Sequence, residues 1–305
     1  MSEAAEAAKV GRWREEEERG NDLVLRLTLL VARLAGRTMT RGLLLVVTFY
    51  YALFSANARK ATREFLRRVD EPTSFRRVHR QLFRFAEVAL DGTYFLRGET
   101  KRFRFTRDGH EHLEQLVREG RGALLLGAHL GSFYAMRGAS ADFDMPVYPL
   151  VHTANAKQIN SLYRALSPEM AERVVEIDEG DMRFMLRVKE LVDQGAMVAI
   201  LADRVPESAN LAEVDFLGGT ALMPTGPYLL ASTLRCPVFF TVGVYRAPDH
   251  YELHCEPFAE KVVLERGARQ EAAREYAARY AQRLEHYARS APDNWFNFFE
   301  FWKTP

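Results

Sequence analysis

Two nearly continuous apolar runs lie near the start of the chain, residues 23–34 (LVLRLTLLVARL) and 43–54 (LLLVVTFYYALF). After them apolar residues recur at helical spacing over 58–69 and 75–91, with Pro72 as a break between the two stretches. Beyond residue 120 the pattern changes to short apolar runs: 122–128 (GALLLGA), 145–151 (MPVYPLV), 174–177 (VVEI), 196–202 (AMVAILA) and 237–245 (PVFFTVGVY). Runs of this length, apolar on both faces, predict buried parallel strands. Helical spacing returns between and before them, at 109–118, 156–166, 181–194 and 224–234. Residues 251–257 (YELHCEP) read as an edge strand, and 268–289 predicts a long amphipathic helix ahead of an aromatic tail, 294–302 (NWFNFFEFW). Alternation of strand and helix predicts an α/β fold, a mostly parallel central sheet with helices on both faces. The division expected is a basic, apolar helical region over 1–95 and the α/β domain over 96–305.

Composition narrows the class. With 305 residues, 48% of them hydrophobic, the chain has ample material for a core, which excludes disorder and collagen-like repeats. Two cysteines, Cys236 and Cys255, cannot build a disulfide framework and lack the spacing of a zinc site.

The net charge of +1 hides an asymmetry: residues 23–84 hold 13 basic residues against 3 acidic ones, so the rest of the chain is acidic. Such a segment calls for a polyanionic partner, nucleic acid or an anionic membrane face. Arginines interleaved with long aliphatic runs, without a nucleic-acid reader motif, favour the membrane. Neither apolar run reads as a transmembrane span, since the second has 12 residues, fewer than the ~20 a spanning helix needs. Glu15, Glu16, Glu17 and Glu18 argue against a signal peptide. The segment is therefore expected to be a helical hairpin at the membrane interface, apolar faces in the acyl boundary and arginines on lipid phosphates. The alternative is a pair of core helices packed under the main domain.

Sites in open α/β sheets form outside the carboxyl ends of the strands. The run 122–128 leads directly into His129, and Gly131 and Ser132 follow, with backbone N–H groups expected to face an anion or oxyanion. Imidazole there suits a general base, although a lone histidine at a strand end is often structural. His152 also follows a strand but has no glycine turn after it. His250, His254 and His286 show no metal-ligand spacing, so no metal site is expected, and no glycine-rich phosphate loop supports a nucleotide cofactor.

Residues 122–137 (GALLLGAHLGSFYAMR) resemble the first block of the lysophospholipid acyltransferase superfamily, in its branch similar to the lauroyl and myristoyl transferases of lipid A biosynthesis. Four further blocks agree in order: 201–206 (LADRVP), 214–218 (VDFLG), 223–227 (MPTGP) and the tail 294–299 (NWFNFF). The resemblance implies a glycerol-3-phosphate acyltransferase-like fold and transfer of a fatty acyl chain from an acyl carrier protein or coenzyme A thioester to a membrane lipid acceptor. No other cofactor is implied. In the family the histidine deprotonates the acceptor, and an Asp or Glu five positions on orients the imidazole. Here Tyr134 occupies that position. A phenol carries no charge near neutrality but can accept a hydrogen bond from the ring. Asp203, at the carboxyl end of the run 196–202, is the candidate replacement acid.

By the same resemblance, Asp203 and Arg204 order a loop or hold a substrate, Phe216 and Gly218 shape the acceptor site, and Thr225 and Gly226 contact substrate or simply start a helix. Arg164 matches loosely a headgroup-binding position. The expected protein is a peripheral or monotopic acyltransferase on the cytoplasmic face of the bacterial inner membrane, with His129 as base and no nucleic-acid partner. The alternatives are a catalytically impaired relative that binds lipid or acyl carrier, and a thioester or ester hydrolase, the latter without a GxSxG elbow.

Overall fold

The computed structural model describes residues 22–140, 145–152, 162–177, 182–204, 210–265 and 267–303. Three helices come first: α1 (Asp22–Phe54), α2 (Ala56–Arg68) and α3 (Phe75–Leu96). The α/β part then runs β1 (Arg104–Asp108), α4 (His110–Arg118), β2 (Ala123–Gly127), α5 (Phe133–Ser140), β3 (Val147–His152), α6 (Pro168–Arg173), β4 (Val175–Ile177), α7 (Met182–Asp193) and β5 (Met197–Leu201). It continues with β6 (Leu211–Phe216), β7 (Gly219–Pro224), α8 (Gly226–Leu234), β8 (Val238–Arg246), β9 (His250–Ala259) and α9 (Arg269–Ser290).

Seven strands form one sheet in the order β1-β9-β8-β2-β5-β3-β4, in which only the β8–β9 pair is antiparallel. Successive residues of β2 face opposite sides, as strand geometry requires. Leu124 and Leu126 join Val198, Ile200 and side chains of α7, α8 and α9, while Ala123 and Leu125 join Met197, Ala199 and Leu113 and Leu116 of α4. Both faces are thus covered, which is why the central strands read as unbroken apolar runs.

One strand expectation is corrected, and three further strands were not read from the sequence. The segment read as an edge strand, β9, lies inside the sheet between β8 and β1, and β1 is the edge. Its sequence, RFTRD, has one apolar residue among five and alternates exposed with partly buried positions, too polar to register as a buried run. The hairpin β6–β7 is separate from the main sheet, and its two turn residues, Leu217 and Gly218, both have positive φ (50° and 69°), the backbone that two-residue hairpins favour.

The N-terminal region differs from expectation in how its charges are placed. A single residue, Gly36, with φ 74° and ψ 178°, breaks α1 between the two apolar runs, and the part from Gly36 to Phe54 lies along α3 and meets α2 at 93°. Side chains of residues 22–33, Arg26 and Arg33 among them, lie outside the description, as do the acidic cluster 15–18 and residues 156–161 of the helix predicted over 156–166, whose residues 162–166 are helical. Arg37 grips Asp91 with both ends of its guanidinium (2.6 and 2.8 Å), and Arg41 donates to Glu87 at 2.6 Å, with Arg84 on the second oxygen. Glu87 and Asp91 are fully buried, and the Tyr251 hydroxyl donates to Asp91 at 2.8 Å. Three arginines expected on lipid phosphates are therefore engaged inside the protein, because α3 carries two acids on the face that α1 covers. The opposite face of α1 is open: Leu34, Met39, Val46, Tyr50 and Phe54 stand between 64% and 76% exposed.

Removing one partner of a buried ion pair costs about 3–5 kcal/mol, since the other charge is left unsatisfied. Arg37→Met should lower the urea unfolding free energy by that amount, and Arg37→Met combined with Asp91→Leu should recover most of it. An Arg37→Met protein as stable as the parent would mean that α1 is not held by this pair.

Candidate active site

Strands β2 and β5 are adjacent and parallel, with Gly127 opposite Leu201. Two residues further along each strand, at the carboxyl edge of the sheet, this register brings His129 beside Asp203. The Asp203 carboxylate, buried to 1% exposure, uses Oδ1 to accept from His129 Nδ1 at 2.8 Å and Oδ2 to accept from the His129 backbone N–H at 2.9 Å. Asn297 of the tail donates its Nδ2 to the same Oδ2 at 2.9 Å, and Arg204 Nε donates to Asn297 Oδ1 at 2.9 Å. Arg204 reaches the Phe296 carbonyl as well (3.3 Å) and stands 5.8 Å over the Phe299 ring.

Burial alone would raise the Asp203 pKa. The His129 ring and its hydrogen bond, the Arg204 charge and the Asn297 amide outweigh it and bring it from 3.8 down to about 2. Asp203 is thus an anion at any ordinary pH, so the proton in the bond lies on His129 Nδ1 and Nε2 is left as the basic nitrogen. The imidazole side chain retains 26% exposure while its carboxylate partner has none. A proton acceptor that is reachable, held in one tautomer by a buried anion, is what a general base requires.

The loop after β2 is held from two sides. The Gly131 N–H donates to the Asn294 carbonyl (2.9 Å), the Ser132 N–H to the Gly243 carbonyl (2.7 Å), and the Phe296 N–H to the His129 carbonyl (3.0 Å). This corrects the expected oxyanion role of Gly131 and Ser132, since both N–H groups are already engaged within the protein. Glycine is required at 131 for packing: φ is +68°, and a Cβ there would lie 2.1 Å from the Gly243 oxygen. Ser132 Oγ caps α5 by accepting from the Ala135 N–H at 3.1 Å. The Asn294 side chain, bonded to both the N–H and the C=O of Tyr245 (2.7 and 3.1 Å), fastens the tail to β8.

Tyr134 does not stand in for the missing acid. Its ring packs on α3, where a Cβ on Gly92 would meet Tyr134 Cδ2 at 2.7 Å, and it lies edge-on to Tyr163, to which its hydroxyl is hydrogen-bonded. Burial pushes its pKa above the usual phenol value, so it supplies no negative charge. Phe216 is wholly buried in an aromatic cluster with Trp295, Phe301 and Trp302, a core position rather than an acceptor wall. Gly218 is the exposed tip of the β6–β7 hairpin. Thr225 precedes α8 and bonds the Asn210 carbonyl through both its N–H (2.9 Å) and its hydroxyl (3.0 Å), so its side chain makes no cap bond to the helix, while its carbonyl accepts from the Tyr228 and Leu229 N–H groups (3.0 and 3.2 Å) and Gly226 is the first helical residue. Arg164 is exposed on the helical residues 162–166, with no hydrogen bond or ion pair to His129 or Asp203. Val205 and Pro206 of the second block lie outside the described residues. Asn297 was missed as a site residue; its only signal was one of two amides in an otherwise aromatic tail.

The structure thus pairs a histidine with a buried carboxylate at the carboxyl edge of the parallel sheet of an α/β scaffold, the edge where sites of such sheets form. The family model for bacterial lipid A biosynthesis acyltransferases matches residues 72–304, well over half the chain, and the protein belongs to that family. The match takes in α3, the dyad and the tail, and begins after α1 and α2. No curated protein matches the chain.

A carboxyl group with a depressed folded-state pKa contributes stability that is complete above its unfolded value and lost as pH falls through its folded value. For Asp203 that window is pH 3.8 to about 2, and the contribution is ~2 kcal/mol. Urea unfolding across this range should show a steeper loss of stability for the parent than for Asp203→Asn. Parallel curves would mean that the carboxylate is not held as described.

Proposed function

We propose that the protein is an acyltransferase that moves a fatty acyl chain from an acyl carrier protein or coenzyme A thioester to a hydroxyl or amine of a membrane lipid, with His129 as general base. The bond from His129 Nδ1 to the buried Asp203 carries this reading, because it supplies the orienting anion that Tyr134 cannot. Nε2 takes the proton of the acceptor as its heteroatom attacks the thioester carbonyl. The tetrahedral adduct collapses with cleavage of the C–S bond, and the imidazolium returns the proton to the departing thiolate, so charge and protons balance. Asp203 stays ionised throughout and stabilises the imidazolium. Asn297, itself oriented by Arg204, keeps the carboxylate in line.

Attachment to the cytoplasmic face of an inner membrane, peripheral or monotopic, is the second part of the proposal. It is supported by the open apolar face of α1 beside exposed basic side chains such as Arg67 and Arg76. Among the described residues no single helix is long and apolar enough to cross a membrane, although the bent pair of residues 36–54 and α2 passes that test together.

The test is transfer of labelled acyl chains from either thioester into a membrane lipid extract. His129→Ala and Asp203→Asn should each lower kcat by roughly 10³–10⁴ with little change in KM, by analogy with loss of a triad member. Tyr134→Phe should remain close to the parent. A parent chain that binds donor or lipid but transfers no label would overturn catalysis in favour of a binding role, and loss of activity in Tyr134→Phe would remove Asp203 as the working acid.

A further inference from the structure

Away from the dyad, a groove of about 390 Å³ lies between α1 and the first turns of α3. Leu45 and Phe83 form its apolar walls, and Arg76, Arg77 and Arg80 its cationic side. His79 fixes the relation of the two helices, its Nε2 lying 3.3 Å from the Leu45 carbonyl and 3.2 Å from Thr48 Oγ1, with its ring edge-on to Phe49.

The charges here do not cancel. Arg77 pairs with Glu71 and Asp293, and Arg80 shares Asp293 at 2.9 Å with its side chain 58% exposed. Arg76 is exposed and has no ion pair or hydrogen bond among the described residues. Three guanidiniums thus meet two carboxylates. Burial, together with repulsion from Arg77, Arg84 and Arg76, draws the Arg80 pKa below its usual value, the sign of a local cationic surplus. The apolar wall is continuous with the open stripe of α1, since Leu45 adjoins Val46 and leads one turn on to Phe49 and Tyr50. A ligand that matches both halves has a phosphate at one end and hydrocarbon at the other.

We propose that this groove binds one anionic glycerophospholipid, its phosphate held by Arg76 and Arg80 and its acyl chains lying over Leu45 and Phe83, at a site separate from the acceptor position at His129. The proposal rests on the reading that α1 meets a bilayer, and it adds a built headgroup site to what would otherwise be a diffuse basic surface.

The test uses the full chain, sedimented with phosphatidylcholine vesicles with and without phosphatidylglycerol. The double variant Arg76→Ala with Arg80→Ala is compared with Arg63→Ala with Arg67→Ala, which removes the same charge from α2. A diffuse field lowers partitioning equally in both. A headgroup site predicts that the groove variant loses roughly ten-fold more affinity for the anionic vesicles than the α2 variant, the worth of hydrogen bonds to a charged phosphate. Equal losses, or a parent that binds both vesicles alike, would overturn the site. Soluble short-chain phosphatidylglycerol separates the two readings, using the shift in the thermal unfolding midpoint. Stabilisation of the parent and not of the groove variant supports the site. If vesicles are bound but the short-chain lipid has no effect, the membrane reading stands and the site falls. A groove variant that loses acyl carrier protein rather than lipid would assign the groove to the carrier and overturn the lipid proposal.

Discussion

An anion without water must be surrounded by donors, and the burial of Asp203 imposes that condition on three distant parts of the chain. Its oxygens receive the N–H and the ring of His129 at the end of β2 and the amide of Asn297 in the tail, with Arg204 one residue away. An uncompensated charge in this position would cost several kcal/mol. Every donor therefore has to be in place, and the loop and tail hydrogen bonds around Gly131, Ser132, Asn294 and Phe296 are what hold them. The geometry of the imidazole follows from that requirement.

The same physics recurs between α1 and α3. Glu87 and Asp91 are buried on α3 and are neutralised by Arg37 and Arg41, which arrive from α1, together with Arg84 of α3 itself. The first helix is accordingly part of the folded body on one face and an apolar surface on the other. Arginines of the basic segment are divided between buried pairs, as at Arg37, Arg41 and Arg84, and exposed positions, as at Arg67 and Arg76, and a count of charge along the sequence cannot separate them.

Much of this was legible in the sequence because it depends on local pattern. Central strands buried on both faces leave continuous apolar runs, and β2, β5 and β8 were read from those with boundaries within one or two residues. His129 and Asp203 were each placed at a strand end, and their meeting needs only that β2 and β5 be neighbours in register. What the pattern could not supply is pairing across distance. The edge strand β1 is half-exposed and charged, the β6–β7 hairpin alternates on its own small ladder, and β9 looks like an edge although it has a neighbour on each side. Gly131 and Ser132 looked available for an oxyanion because nothing local bonds them; their partners lie more than a hundred residues away. Phe216 likewise looked like a site residue until its aromatic neighbours from the tail were placed around it.

The tail also governs when the site can exist during synthesis. Asn294, Phe296 and Asn297 leave the ribosome after every strand of the sheet, yet they complete the shell around a carboxylate at position 203 and a histidine at 129. Until they emerge, the sheet can form but Asp203 lacks a donor and the His129 loop lacks its outer strap. Contacts so far apart in the chain carry a large closure cost and form late. A nascent chain that stops short of the tail is thus a scaffold whose His129–Asp203 pair still lacks part of its shell.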